Sequence, residues 1–382
     1  MTVGELRVAI VGAGIGGLTL AIALRQHGIH AEIYEKASEL REVGAAVAFA
    51  ANGERLLDRL GVTVELAGAS MSPPDLVYRH WRDGRLLAEH SIDGGLHTLH
   101  RVDFQRALVK VWDDEVELGA TLVDLDSGEH DVRLKFADGR TASAEVVIGA
   151  DGVHSTVRNW LTGGPGDAMY SGTSGFRGLV PVERLPSLPR PDAVQFWLGP
   201  GGHLLHYPIA DGSVINFLAV VDAPAVWHAK NWVVGTDPGE QVAAFAGWHP
   251  AVTEMIAATD LPQRWGLFAH PPLNSWSRGR VALLGDAAHA MLPHQGQGAN
   301  QTVEDAVALA NLLATEEIPN AFRYYERLRR TRTRQVQRSS WDTSAILHLP
   351  DGPEADERDR KLAKFPENFR WIHDYDVERA LT

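Results

Sequence analysis

Residues 12–17 read Gly12-Ala13-Gly14-Ile15-Gly16-Gly17, set between an apolar run over residues 6–11 and a helical pattern over residues 14–27 that stops at Gly28. A glycine turn in that setting constrains the fold more than any other feature of the chain. The turn is tight, the backbone can approach a pyrophosphate, and the helix can pack closely on the strand. A phosphate there meets the free N–H groups and positive dipole end of the helix. A second apolar strand, residues 31–34, ends at Glu35, 18 residues beyond Gly17, where a carboxylate can accept hydrogen bonds from ribose hydroxyls. Together these predict a βαβ unit of about thirty residues that binds a dinucleotide through Gly12, Gly14, Gly16, Gly17 and Glu35.

Residues 8–24 form an almost unbroken apolar run behind Arg7, a pattern shared with signal peptides and membrane anchors. Four glycines interrupt it, and no small-residue cleavage site follows Leu24. The expectation is a soluble, cytoplasmic protein without a membrane span. The 382 residues, 45% hydrophobic and 22% charged, suit one large α/β unit or two intimate domains. Forty-nine acidic residues against 36 basic ones give a charge of −13, which repels nucleic acid and anionic membranes. Cysteine is absent, which excludes disulfides, thiolate zinc sites, iron–sulfur clusters and a cysteine nucleophile.

Residues 45–112 mix helical and strand signals. Residues 133–136, Asp138-Gly139 and residues 144–150 read as a hairpin leading into a buried strand. From 171 to 270, Trp, Phe, Pro and Gly are frequent, and alternation over 194–198, 204–208 and 214–220 predicts antiparallel strands. Residues 280–284 return to a buried strand, followed by a glycine-rich loop and a helix over 298–313. The expected organisation is an α/β unit in two parts, 1–170 and 271–340, with a mostly antiparallel sheet over 171–270 inserted in it and a helical tail over 341–382.

Two further motifs stand at strand ends. Gly149-Ala150-Asp151-Gly152-Val153-His154-Ser155-Thr156-Val157-Arg158 follows one buried strand; alone, it reads as turn chemistry with a helix cap. Gly285-Asp286-Ala287-Ala288-His289 follows another, then Pro293-His294-Gln295-Gly296-Gln297-Gly298-Ala299-Asn300 and Glu304-Asp305-Ala306. A carboxylate at the first place can bind sugar-alcohol hydroxyls. The glycine turn then presents backbone N–H groups at a helix start, which stabilises negative charge such as a reduced flavin carries on its N1 and C2 carbonyl region.

The ordered trio GxGxxG, GADGxxSxxR and GDAAHxxxPxxGQGxN resembles the class A, single-component FAD-dependent aromatic hydroxylases over almost the whole chain. Residues 285–298, Phe245-Ala246-Gly247-Trp248 and Ser340-Trp341-Asp342-Thr343 are similar to salicylate hydroxylases; 3-hydroxybenzoate 6-hydroxylases and 6-hydroxynicotinate 3-monooxygenases are the other near types. The resemblance implies a Rossmann-like FAD-binding domain of the GR2 type, tightly but non-covalently bound FAD, and NADH or NADPH as co-substrate without a separate nucleotide domain. It implies hydroxylation of a small aromatic acid by O2 through a flavin C4a-hydroperoxide, in a monomer or homodimer. Salicylate to catechol with loss of carbon dioxide is the best single expectation, with hydroxybenzoates or hydroxypyridine carboxylates as alternatives. The FAD contacts it implies are Glu35 at the adenosine ribose, Lys36, Val47, Arg101 near the ribityl and pyrophosphate, Leu122, Asp286 on the ribityl and phosphate side, Pro293, and the backbone of Gly298, Ala299 and Asn300. Asp151 is implied to link the FAD site to the region where nicotinamide arrives.

The resemblance also implies a His and a Tyr on a sheet strand above the flavin, here His203 and Tyr207, with Pro293 and His294 beside them. Residues 203, 205 and 207 share one strand face while His206 points the other way. His203 is the expected base or proton relay for a phenol. Some salicylate hydroxylases have Phe at the Tyr207 position, and Ala48 stands where some hydroxypyridine members have His, so the substrate stays open. Ala51 replaces a usual Pro, a difference expected to change only a loop. The pairs His97/His100, His203/His206 and His289/His294 lack the spacing of a metal site. Seven arginines and one glutamate over residues 322–338 read either as a solvated helix or as local attraction for anionic NADH and substrate. Other readings are another FAD enzyme class, though the halogenase signature WxWxIP is missing, or an FAD-binding sensor without turnover.

Overall fold

Val8–Val11, Val146–Gly149 and Val281–Leu283 are buried throughout. Unbroken apolar strands of this kind need cover on both faces, the condition met in a parallel sheet. The computed structural model, which describes residues 6–40, 46–92, 95–166, 168–229, 231–259 and 263–381, places them in one. Val8–Val11 pairs in parallel with Ala31–Tyr34 on one side and Val146–Gly149 on the other. Val146–Gly149 in turn pairs in parallel with Val281–Leu283. The chain that leaves the sheet at Gly149 therefore returns beside it, and all three glycine motifs open from neighbouring strands at the same sheet edge. The first helix, Ile15–Gln26, closes at His27 and is followed by Gly28 in the left-handed region, at φ +73°.

Material between the two halves, joined by two strands from within the first, builds an eight-stranded sheet. Its order is Val233–Gly235, Gln263–Ala269, Met169–Pro181, Val214–Asp222, Gly202–Ile209, Val194–Gly199, Asp75–His80, Leu86–Ser91. Pairing is antiparallel except between Val194–Gly199 and Asp75–His80. Two of these strands thus come from before residue 170, beyond the expected 171–270 segment. That segment also holds the helices Pro238–Ala244 and Pro250–Ala257. The helices cover one face, where Phe176, Trp197 and Phe217 pack with Trp248 and Met255. The neighbouring residues Arg177 and Phe196 project from the opposite face, as strand alternation requires.

A small sheet of Ala46–Ala50, Leu96–His100 and Ser70–Met71 joins the two layers. Thr98 Oγ1 donates to the Pro208 carbonyl at 2.7 Å, pinning it to the large sheet. Helix Gly298–Thr315 packs beside the first helix, and a long helix, Ile318–Leu347, runs past the expected boundary at 340. The tail beyond it folds back onto the molecule through Pro353–Leu362 and Arg370–His373. No helix among the described residues is long and apolar enough to cross a membrane.

Candidate active site

A cavity of about 490 Å³ opens between the parallel sheet's glycine loops and the free face of the eight-stranded sheet. On the loop side, Gly12 sits at φ +107°, and a Cβ there would lie 2.5 Å from the Ala150 carbonyl oxygen, so only glycine lets the first two motifs touch. Gly14 and Gly16 line the cavity. No atom lies within 4 Å of where a Cβ on Gly14 would stand, so the backbone there is bare to a ligand. Gly17 backs the turn, its α-carbon against the Gly12 carbonyl. Gly14 makes no side-chain cap for the helix it starts, which leaves the first-turn N–H groups available. Ala13 N donates to Glu35 Oε2 at 2.9 Å, so the acidic residue braces this turn from the next strand.

Opposite the first loop, Gly285 at φ +62° turns the chain so that Asp286 projects into the cavity; a Cβ on Gly285 would strike Thr302 Oγ1 at 2.8 Å. Pro293, Gly298 and Ala299 line the cavity beside it, and the helix from Gly298 has no side-chain cap either. Asn300 does not line the cavity. Its amide is a strut, accepting from Ala50 N at 3.0 Å and donating to the carbonyls of Ala48 and Gly296 at 3.1 and 2.9 Å.

Beneath this loop lies a buried ionic network. Asp305 accepts from Gly285 N at 3.1 Å and Arg329 Nε at 2.7 Å, and pairs with His289 Nε2. Glu304 accepts from Asn52 Nδ2 at 2.7 Å and from Arg332 Nε at 2.7 Å, and pairs with Arg329 Nη1. Burial works to raise the Asp305 carboxyl, but His289 and Arg329 outweigh it and hold its pKa below the ordinary value. The arginine-rich helix therefore splits its roles. Arg329 and Arg332 face inward as counter-ions, correcting both the solvated and the steering readings for those two residues. His289 likewise belongs to the support.

Across the cavity, strand register sets the wall. Tyr78 pairs with Phe196, Phe196 with Leu205, Leu205 with Leu218 and Leu218 with Arg177, so one row across five strands faces the cavity. Tyr207 and Asn216, paired with each other, stand in the next row. The Arg177 guanidinium lies over the Trp265 ring at 4.8 Å, and its buried Nε has no hydrogen-bond partner. Desolvation lowers its pKa, so an anion is the natural complement. His294, from the loop side, lines the cavity with both ring nitrogens unpartnered. Burial, aided by His348, lowers its pKa to about 3, which keeps the imidazole neutral. Burial raises the Tyr207 phenol.

Several sequence expectations land elsewhere. His203 shares a face with Tyr207, but it pairs with Leu198 and Val220, one row beyond Leu205. It does not line the cavity; it lies behind His294, with ring centroids 5.3 Å apart. The Asp151 carboxylate closes the start of helix Thr156–Thr162, accepting from Thr156 N at 2.7 Å and Val157 N at 3.2 Å, while Ala150 and Gly152 face the cavity. Val47 and Arg101 line it. Glu35 and the exposed Lys36 sit outside its lining, and Leu122 is a buried core residue that begins strand Leu122–Ser127. Arg177 was not anticipated, although a single Arg within Gly175-Phe176-Arg177-Gly178-Leu179-Val180 is the kind of interruption that marks a site. The tail residues Phe369, Ile372 and His373 also line the cavity, with no local signal.

Bare backbone at Gly14, an uncapped helix at Gly298 and a free carboxylate at Asp286 fit the phosphate, pyrimidine and ribityl chemistry of FAD. The family described as "FAD binding domain" matches residues 5–340. The chain is 39% identical over 384 residues to 3-amino-4-hydroxybenzoate 2-monooxygenase of Streptomyces platensis, covering 97% of this chain and 96% of that one. It is 34% identical over 410 residues to salicylate hydroxylase of Pseudomonas putida, covering 98% and 94%. The crystal structure of Klebsiella pneumoniae HpxO with FAD and uric acid superposes with a TM-score of 0.86 at 30% identity, over 97% of this chain and 96% of that one. The chain belongs to this FAD-binding family and is an FAD-dependent aromatic monooxygenase.

Proposed function

We propose that the substrate is a small hydroxybenzoate, bound with its carboxylate toward Arg177 and its phenol toward His294. The observation that carries this is the Arg177 guanidinium, whose buried Nε has no hydrogen-bond partner, in one row with Tyr78, Phe196, Leu205 and Leu218. A benzoate supplies both the anion that Arg177 lacks and a ring for the aromatic faces. FAD, when bound, would supply the redox chemistry, hydride acceptance from NAD(P)H and activation of O2 for ring hydroxylation. The backbone of Gly14 and Gly16 would hold its phosphates, Asp286 its ribityl hydroxyls, and the Gly298–Ala299 amides the pyrimidine edge.

The chain's side chains act on the substrate. Arg177 and Asn216 orient the ring, and the tail residues Phe369 and Ile372 exclude water. Neutral His294 accepts a hydrogen bond from the phenol, drawing electron density into the ring at the carbon to be hydroxylated. The 39% relative supports an aminohydroxybenzoate ahead of salicylate, the substrate that local motifs suggested. The test is a panel of hydroxybenzoates, including 3-amino-4-hydroxybenzoate, salicylate and 4-hydroxybenzoate, with the FAD-loaded protein. NADH consumption should rise with the right acid and match hydroxylated product. A panel in which no acid stimulates NADH consumption would overturn the reading.

A further inference from the structure

The segment Ser340-Trp341-Asp342-Thr343 lies on the long helix Ile318–Leu347, beside the loop that carries His294. The helix grips that loop residue by residue. Gln337 Nε2 donates to the Ala290 carbonyl at 3.0 Å, and Ser340 Oγ donates to the Leu292 carbonyl at 2.7 Å. Gln295 reaches back from the loop: its Nε2 donates to Ser339 Oγ at 2.6 Å and to Thr343 Oγ1 at 3.1 Å. The short helical turn Pro293–Gln295 is thereby held at both ends.

The partners of the Gln295 amide fix its orientation. Thr343 Oγ1 gives its single proton to the Ser339 carbonyl at 2.8 Å, so toward Gln295 it can only accept. The amide nitrogen must therefore face the helix, and the oxygen is turned from it. That oxygen, Oε1, is buried and has no hydrogen-bond partner among the described residues. Gln337 also has an unpartnered Oε1, but Gln337 lies outside the cavity lining, whereas Gln295 is part of it together with His294 and Thr343. A buried acceptor without a donor is unfavourable, and one held in a cavity wall is complementary to a ligand that brings a donor.

A plain hydroxybenzoate cannot bring it. Its carboxylate is ionised and only accepts, and Arg177 serves that end. Its single phenol O–H goes to the neutral His294. No hydrogen is left for Gln295. We propose that Gln295 is a specificity-determining residue whose Oε1 accepts from a second donor on the substrate ring, an amino N–H or a second hydroxyl, with Thr343 as the residue that positions it. The substrate class narrows from hydroxybenzoates to those with a further amine or hydroxyl on the ring. The inference rests on the hydroxybenzoate reading, in which Arg177 and His294 take the other two groups.

Binding to the FAD-loaded, oxidised protein tests this, read from the flavin absorption change as each acid is titrated. In one ring frame, 3-amino-4-hydroxybenzoate and 3,4-dihydroxybenzoate are set against 4-hydroxy-3-methylbenzoate, whose methyl group fills similar space without a donor. In the other, 3-aminosalicylate and 2,3-dihydroxybenzoate are set against 3-methylsalicylate. Wild type should bind a donor-bearing acid about tenfold more tightly than its methyl counterpart in at least one frame. The tighter of the amine and the hydroxyl identifies the donor. In Gln295→Met, which keeps the length of the side chain without its amide, the ratio should fall to within about twofold of unity. In Thr343→Val, which removes the hydroxyl that holds the amide, it should fall part of the way. Each ratio is taken within one protein, so a general loosening of the cavity cancels from it.

A wild-type ratio near unity in both frames, or a ratio that survives Gln295→Met, would overturn the proposal and leave the hydroxybenzoate reading standing. If that survival comes with weakened FAD binding, the oxygen serves the cofactor instead. If none of these acids perturbs the flavin, the hydroxybenzoate reading fails and the proposal falls with it.

Discussion

Around the Gly285–Gly298 loop, Glu304, Asp305 and Arg329 are buried and saturated with partners, and the groups offered to the cavity are mostly backbone. Across the cavity, Arg177 is half-buried with its Nε left unpartnered, and His294, though carried by the loop, lines the cavity with both ring nitrogens unpartnered. The two sides solve different problems. The cofactor side must hold one rigid shape for a large ligand, and saturated charges fix the loop while bare amides bind. The substrate side must discriminate, and discrimination requires side chains whose hydrogen-bonding capacity waits for a ligand. Between these two sides, the fully partnered charges support the loop, and the unpartnered nitrogens of Arg177 and His294 are the ones beside the ligand space.

The strongest way to break this contrast is on the saturated side. Glu304→Ala leaves Arg329 and Arg332 without their shared carboxylate, and removing one partner of a buried pair costs about 3–5 kcal/mol. Chemical denaturation should show that loss, with FAD released in parallel; a variant that keeps wild-type stability and FAD would dissolve the distinction. On the other side, Arg177→Gln should leave the unfolding midpoint unchanged or raised. It should weaken binding of the aromatic acid by roughly 10- to 150-fold, the worth of a charged hydrogen bond at about 1.5–3 kcal/mol. Tyr207→Phe removes one neutral hydroxyl from the wall, and a few-fold rise in Kd, about 0.5–1 kcal/mol, is expected by ligand titration.

These variants also divide along what the sequence could tell. The Gly12–Gly17 turn and the Gly285–Gly298 loop are local, because glycine spacing and flanking strands sit within a few residues of one another. The nucleotide half of the fold and its cofactor were legible for that reason. Strand alternation also placed His203 and Tyr207 on one face. It could not say which register row lies under the cavity, since that depends on pairing with residues such as Leu198 and Val220 in other strands. Asp151 shows the reverse: its local reading as a helix cap matches the geometry, where its carboxylate bonds Thr156 N and Val157 N. Arg177 gains meaning only when its strand pairs with others far away in the sequence. The two strands at 75–91 were missed for the same reason, because they pair with a sheet built about a hundred residues later.

His206 refines the contrast at the smallest scale. Its ring nitrogens are unpartnered and fully buried, yet it points away from the cavity, so it serves no ligand. Burial, with Arg79 adding to it, lowers its pKa to about 3. The unfolded chain protonates this histidine near its ordinary value of about 6.5, while the folded chain does not. Stability is therefore full above about 6.5 and falls as the pH drops toward 3. His206→Phe should flatten that acid slope and leave turnover unchanged, as thermal unfolding across pH 4–8 and NADH-oxidation rates would show. An unchanged slope would mean that His206 is protonated in the folded state.

The central claim is that the unpartnered Arg177 selects an anionic aromatic ligand. The most direct measurement titrates FAD-loaded wild type and Arg177→Gln with a hydroxybenzoate and with its carboxamide, following the flavin absorption change. Wild type should prefer the acid by roughly 10- to 150-fold, and Arg177→Gln should bind the two alike. The same preference for the acid in both proteins would contradict the account.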